Sequence, residues 1–178
     1  MAVQKIITES DNRLRAPNSK VILIDEEVKK EILDLKDTLA SAKNPEGAGL
    51  AAPQIGINKK ICVVRNYTED VADPSKVVFQ EFVFINPKIT SASKETNLDW
   101  EACLSVPNKY GRVSRHNKIK VTALDEEGIQ FTLKASGYFA QVIQHELDHL
   151  MGVLFIDKVV GKIISGKEME ETYHGAYA

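Results

Sequence analysis

The stretch "GYFAQVIQHELDHLMG", residues 137–152, decides the fold. Its run of about four turns, bracketed by Gly137 and by Gly152 where a C′ glycine would stand, predicts an α-helix. The run is more apolar than a surface helix should be, so it is expected in the core. Yet His145, Glu146, Asp148 and His149 fall within five positions of it. Burying them without partners costs on the order of several kcal/mol per ion. A buried helix that carries two satisfied histidines and no metal is the plainest alternative.

Positions i and i+4 share one helix face, so His145 and His149 can aim two imidazoles at one metal ion. Glu146 follows the first histidine, rotated by about 100°, where it can reach a water rather than the ion. That is the arrangement of H-E-x-x-H hydrolases, with the glutamate as general base. Two histidines do not complete a catalytic site. Downstream, the zincin continuation is absent, and Asp157, Glu168, Glu170, Glu171 and His174 are the only donors on offer. The third ligand is therefore sought upstream, where Cys103 sits in "DWEACLSVP" among polar neighbours. As a thiolate it would complete a Cys/His/His set with a fourth position open. Cys62, in the strand-like "KKICVV", reads as inert core. With two cysteines and no export signal, a disulfide is not expected.

Outward from this centre, "DEEVKKEILDLKDTLASAK" places Val28, Ile32, Leu35 and Leu39 on one face of a helix capped by Asp25. "NPEGAG", with Pro45, Gly47 and Gly49, ends it. "KKICVVRN" and "EFVFINPKIT" read as strands, with Pro87 pointing to an edge or end position for the second. "NYTEDVADPSK" is expected as a surface loop, and "KIKVTALDEEGIQFTLKAS" as a hairpin turning at "DEEG". His116 falls in the polar "SRHNK" and His174 in a polar tail expected to fray; neither is placed in the site. The fold class is α+β: antiparallel sheets packed around a central buried metal-binding helix, with an N-terminal helix.

Three segments together resemble the peptide deformylases. That family's pattern is G-x-G-aliphatic-A-A-x-Q, then E-G-C-L-S, then H-E-x-D-H; this chain has "GAGLAAPQ" at 47–54, "EACLS" at 101–105 and "HELDH" at 145–149. The resemblance implies removal of the N-formyl group from the terminal methionine of nascent polypeptides, with release of formate. It implies metal ligation by Cys103, His145 and His149, proton transfer by Glu146, and oxyanion donation by the Gln54 amide and the Leu104 backbone N–H. Gly47, Ala48, Gly49, Glu101, Tyr138, Gln141 and Val142 then fall where substrate binds. The family's physiological ion is Fe²⁺; Zn²⁺, Ni²⁺ or Co²⁺ suit the same donors in a purified sample. Asp148 is read mainly as a structural partner, with Arg115 the family match for its ion pair.

The chain departs from the pattern at Ala102, where glycine is usual. Alanine there costs roughly 1–2 kcal/mol if φ is positive, so extended backbone is expected. Ala48 is smaller, and Tyr138 and Gln141 more polar, than is usual beside the methionine side chain. The rival readings are a zincin-like metalloprotease, which needs a downstream ligand, and an inactive metal-binding module, which needs neither Glu146 nor Gln54.

The length of 178 residues suits one catalytic domain over 1–178. The content of 43% hydrophobic and 27% charged residues suits a soluble globular chain. A net charge of −2 gives no general grip on nucleic acid or anionic membrane. The N-terminus lacks an apolar signal region and no apolar run is long enough to span a bilayer, so a cytoplasmic location is expected. The tail is short and acidic-leaning, unlike the basic helix with which some members dock on the ribosome, so only transient encounter is expected there.

Overall fold

Asp25 accepts a hydrogen bond from the Val28 backbone N–H and starts the first long helix, as its sequence requires. In the computed structural model, which describes residues 2–43, 46–73 and 75–176 with side chains to residue 172, the elements follow in order. They are α1 (Glu26–Ser41), β1 (Gly49–Ala51), β2 (Ile61–Glu69), β3 (Val77–Ala92), β4 (Thr96–Cys103) and β5 (Val106–His116). After these come β6 (Lys118–Leu124), β7 (Gln130–Ser136), α2 (Gly137–His149), β8 (Ile164–Ser165) and α3 (Gly166–Ala176). Pro45 lies outside the described residues.

Five strands form one antiparallel sheet in the order β1-β2-β3-β6-β7, and β4-β5-β8 form a second. The larger sheet is covered on both faces, which explains why β2 reads as a continuous apolar run. Cys62 and Val64 join the core under α2, with Phe84, Val121 and Ile143. Ile61 and Val63 join the opposite core, where α1 contributes Val28, Ile32, Leu35 and Leu39. A third core, built on Leu14, Val106, Val113, Leu154 and Phe155, supports the smaller sheet and reaches Cys103. The buried helix α2 thus lies among antiparallel strands, as the α+β reading requires. No helix of the described residues is long and apolar enough to cross a membrane.

Several local expectations need correction. Pro87 falls inside β3 rather than at its end, but the ladder to β2 stops at Ile85, so beyond that residue β3 is paired with β6 alone. The ladder jumps from Ile85↔Leu124 to Lys88↔Thr122, so two β3 residues oppose one on β6. This bulge takes the missing N–H of Pro87 out of the ladder, and Asn86 sits at φ 52° to make it. The expected surface loop over "NYTEDVADPSK" is shorter, because β2 runs on to Glu69. His116 ends β5 rather than lying in a loop, although it is exposed and pairs through Nδ1 with the Ser93 carbonyl. The tail does not fray at Gly166: it forms α3. Ser165 and Glu168 cap that helix reciprocally, Glu168 accepting from the Ser165 N–H and hydroxyl and donating its own N–H to Ser165 Oγ. The side chain of His174 lies outside the described residues.

Candidate metal centre and active site

Helix α2 brings His145 and His149 to one face, and the end of β4 brings Cys103 to meet them. One donor atom from each of the three lies within 4.8 Å of the others, and all three side chains are buried. Cys103 Sγ stands 3.3 Å from His149 Nε2. A tetrahedral ion with bonds of about 2.3 Å to sulfur and 2.0–2.1 Å to nitrogen spaces such donors by about 3.5 Å, so the donor set fits a borderline-soft divalent ion. Two of the downstream donors that a zincin would need have other partners. Asp157 pairs with Arg15 and Glu168 caps α3, and neither belongs to the cluster.

Glu101 orients the first histidine. Its Oε2 lies 2.9 Å from His145 Nδ1, so that nitrogen carries the hydrogen and Nε2 keeps its lone pair for a ligand. Its carboxylate also takes two hydrogen bonds from Arg115, at 2.8 and 3.0 Å. Burial pushes the Glu101 carboxyl up, but His145 and Arg115 outweigh it and hold the group at about 2. Burial likewise opposes a charge on His145, and Cys103 and Glu101 overcome it and raise that imidazole. His149, buried beside a charged neighbour, is held well below the ordinary range. Glu101 lines the cavity wall, but its carboxylate serves the metal site.

Asp148 accepts from Arg115 and from Lys158, at 2.5 and 2.7 Å, which bears out its structural reading. Arg115 thus ties β5, β4 and α2 together while 5% exposed. Cys62 is fully buried, and burial pushes its thiol well above the ordinary value, as expected of inert core.

Glu146 directly follows His145 on α2, 3% exposed, with Oε2 buried and without a hydrogen-bond partner among the described residues. Burial raises its carboxyl to about 7, against the pull of His145. The glycine at 49 is explained by this residue: a Cβ there would come within 2.7 Å of Glu146 Oε1 and Cγ. The space that Gly49 leaves is filled by the Glu146 side chain. Gly47 avoids Leu39 and Leu104, whose methyls would lie 2.8 and 3.0 Å from its Cβ.

Gln54, buried in the short 3₁₀ turn after β1, is fixed at its carbonyl end by the Ala51 N–H at 2.8 Å. Its Nε2 thereby faces Ser105 Oγ at 3.1 Å and Cys103 Sγ at 3.5 Å. Ser105, fully buried, is the orienting partner that the sequence reading left without a role. Leu104 occupies the two-residue turn between β4 and β5. Ala102 keeps its place in β4, and the left-handed residues other than glycine among those described are Asn86 and Asn108. Ala102 thus avoids the positive φ that would strain it, at a point where the β4–β5 register shifts between Glu101 and Cys103.

These groups open onto a cavity of about 310 Å³, within the usual range for small ligands. Its wall includes Gly47, Ala48, Gly49, Leu104, Tyr138, Gln141 and Val142, so the predicted residues converge there. Gln141 also donates toward the Trp100 carbonyl at 3.3 Å, which gives its polar amide a role in the wall. Glu46, Trp100, Tyr110 and Met169 also line the cavity, unforeseen. No periodicity in the sequence links β5 or α3 to the motifs.

A family model described as Polypeptide deformylase matches residues 3–163. A peptide deformylase of Thermomicrobium roseum is 44% identical over 162 residues, 89% of this chain and 87% of that protein. Among solved structures, the Synechococcus elongatus peptide deformylase in complex with actinonin is 38% identical with a TM-score of 0.76, covering 89% of this chain and 80% of that one. The Met-Ala-Ser-bound class I type b peptide deformylase of Acinetobacter baumannii is 29% identical with a TM-score of 0.78, covering 89% and 99%. The matched span takes in all three motifs, the cysteine that joins the two histidines, and the sheets that carry them. The chain belongs to the polypeptide deformylase family.

Proposed function

We propose that this chain, acting as one catalytic domain, hydrolyses the formamide of N-formyl-methionyl peptides to formate and a free amine. The observation that carries the reading is Glu146: a buried, proton-ready carboxyl with a free oxygen, beside a Cys/His/His donor set that fits a metal. Cys103, His145 and His149 would hold a divalent ion, which would supply Lewis acidity and lower the pKa of the attacking water toward neutral. Glu146 takes the proton of the attacking water at Oε2 and returns it to the leaving nitrogen; a value of about 7 suits both halves of that transfer. The Gln54 Nε2–H and the Leu104 N–H donate to the oxyanion, and the clamp on the Gln54 carbonyl keeps that donor aimed. Glu101 holds His145 in the tautomer that ligation needs. Tyr138, Gln141 and Val142 flank the methionine side chain.

We further propose Fe²⁺ as the working ion, with Zn²⁺, Ni²⁺ and Co²⁺ accepted by the same donors. Nascent chains in the cytoplasm are the substrates, met in transient encounters at the ribosome. The test is product identity. Metal-loaded protein with formyl-Met-Ala-Ser should give formate and intact Met-Ala-Ser. Cleavage at an internal peptide bond would favour a protease, and metal binding without turnover would favour a binding module.

A further inference from the structure

Past residue 163, where the match to the family model ends, the chain forms β8 and α3, and α3 reaches the active-site cavity. β8 pairs with β5 at Lys109↔Ser165 and Tyr110↔Ile164. The junction is fastened by Asn108, which sits at φ 59° and accepts the Gly166 N–H at 3.0 Å. A Cβ at 166 would meet the Asn108 Oδ1 at 2.6 Å, so the close join needs glycine. From this anchor α3 runs back over β5. Among its described side chains Lys167, Glu168, Glu170, Glu171 and Thr172 are exposed, whereas Met169 is half-buried and lines the cavity beside Tyr110.

Resting on the deformylase reading, we propose that Met169 is a specificity-determining residue: it forms the wall that meets the side chain following the formyl-methionine. Two arguments place it there. The wall from α2 (Tyr138, Gln141, Val142) lies on the helix that carries Glu146, close to the reacting carbon and hence to the first residue. Met169 enters separately, from the β5–β8 edge. The chemistry also fits. The first residue is always methionine and needs one pocket shape, whereas the next varies from one protein to another. An unbranched, polarizable thioether adapts to many apolar shapes, as adaptable binding surfaces require.

The test compares formyl-Met-Leu-Ser, formyl-Met-Ala-Ser and formyl-Leu-Ala-Ser as substrates of the full chain and of Met169→Ala. The wild type should favour leucine over alanine at the second position, and Met169→Ala should shrink that preference about 5- to 10-fold through KM, with kcat held. Preference for methionine over leucine at the first position should not move. Met169→Leu should restore the pattern, which separates contact with substrate from loss of the helix. Trp100, the chain's sole tryptophan, lines the same cavity. Titration of its fluorescence with Met-Leu-Ser and Met-Ala-Ser therefore reads the same discrimination without turnover. An unchanged second-position preference, a changed first-position preference or a fall in kcat alone would overturn the proposal. Absence of formate from the wild type would instead strike the deformylase reading itself.

Discussion

At the scale of single residues, Gln54 and His145 are each held by a neighbour at one atom, which aims another at the centre. Gln54 has its carbonyl occupied by the Ala51 N–H, so its amide can only present N–H to the centre. Gln54→Ala should lower kcat by about 10²–10³ with little change in KM, measured by steady-state formate release. Cys103 lies within the cluster that includes both histidines. Cys103→Ala should abolish stoichiometric metal, read by elemental analysis of dialysed protein, and retained metal would revive a ligand set without sulfur. The sequence revealed these residues because ligation and proton transfer constrain residue type and spacing. It did not reveal Ser105 as the partner of Gln54, since a buried hydroxyl has no distinctive neighbours along the chain.

At the scale of elements, the site depends on one cross-brace. Arg115 on β5 joins Glu101 on β4 and Asp148 on α2, all largely withdrawn from water. Removing the cation leaves two carboxylates without it, so Arg115→Met should destabilise the fold by about 3–5 kcal/mol in urea titrations. It should also weaken metal retention, because Glu101 loses its second anchor. A second brace links the N-terminal segment to the turn after α2, where Asp157 accepts from Arg15 and from the Leu154 N–H. The hydrogen bond from Arg15 holds the Asp157 carboxyl below its ordinary 3.8. Because the folded value is the lower one, its stabilisation is present above 3.8 and lost as pH falls through the folded value. Both groups are about two-fifths exposed, so screening keeps the effect below about 1 kcal/mol. Arg15→Ala should therefore flatten the acid limb of the stability profile slightly; an acid limb as steep as that of the wild type would refute the pairing.

Element type was legible where periodicity was strong, as in α1 with its capped apolar face and in the hairpin of β6 and β7. It failed where tertiary pairing overrode the local signal. Pro87 reads as a strand end, yet β3 runs on past it through a bulge with Asn86, paired there with β6 alone. The tail reads as polar and loose, yet the pairing of β8 with β5 gives α3 an anchor that no local propensity announces.

At the scale of the molecule, two helices sandwich a five-stranded sheet, and the second sheet closes over the helix that carries the histidines. The site forms where the two sheets converge, so metal ligands on β4 and α2, 42 residues apart for Cys103 and His145, depend on the whole core being in place. That convergence was foreseen only as strands around a buried helix; the pairing order needed coordinates. Glu146 moves protons beside a metal that it does not bind. The most direct measurement is formate release from formyl-Met-Ala-Ser by metal-loaded wild type and Glu146→Gln, with metal content assayed on the same samples. The account predicts equal metal in both and a rate lower by about 10²–10⁴ in the variant. Equal rates at equal metal content would contradict it.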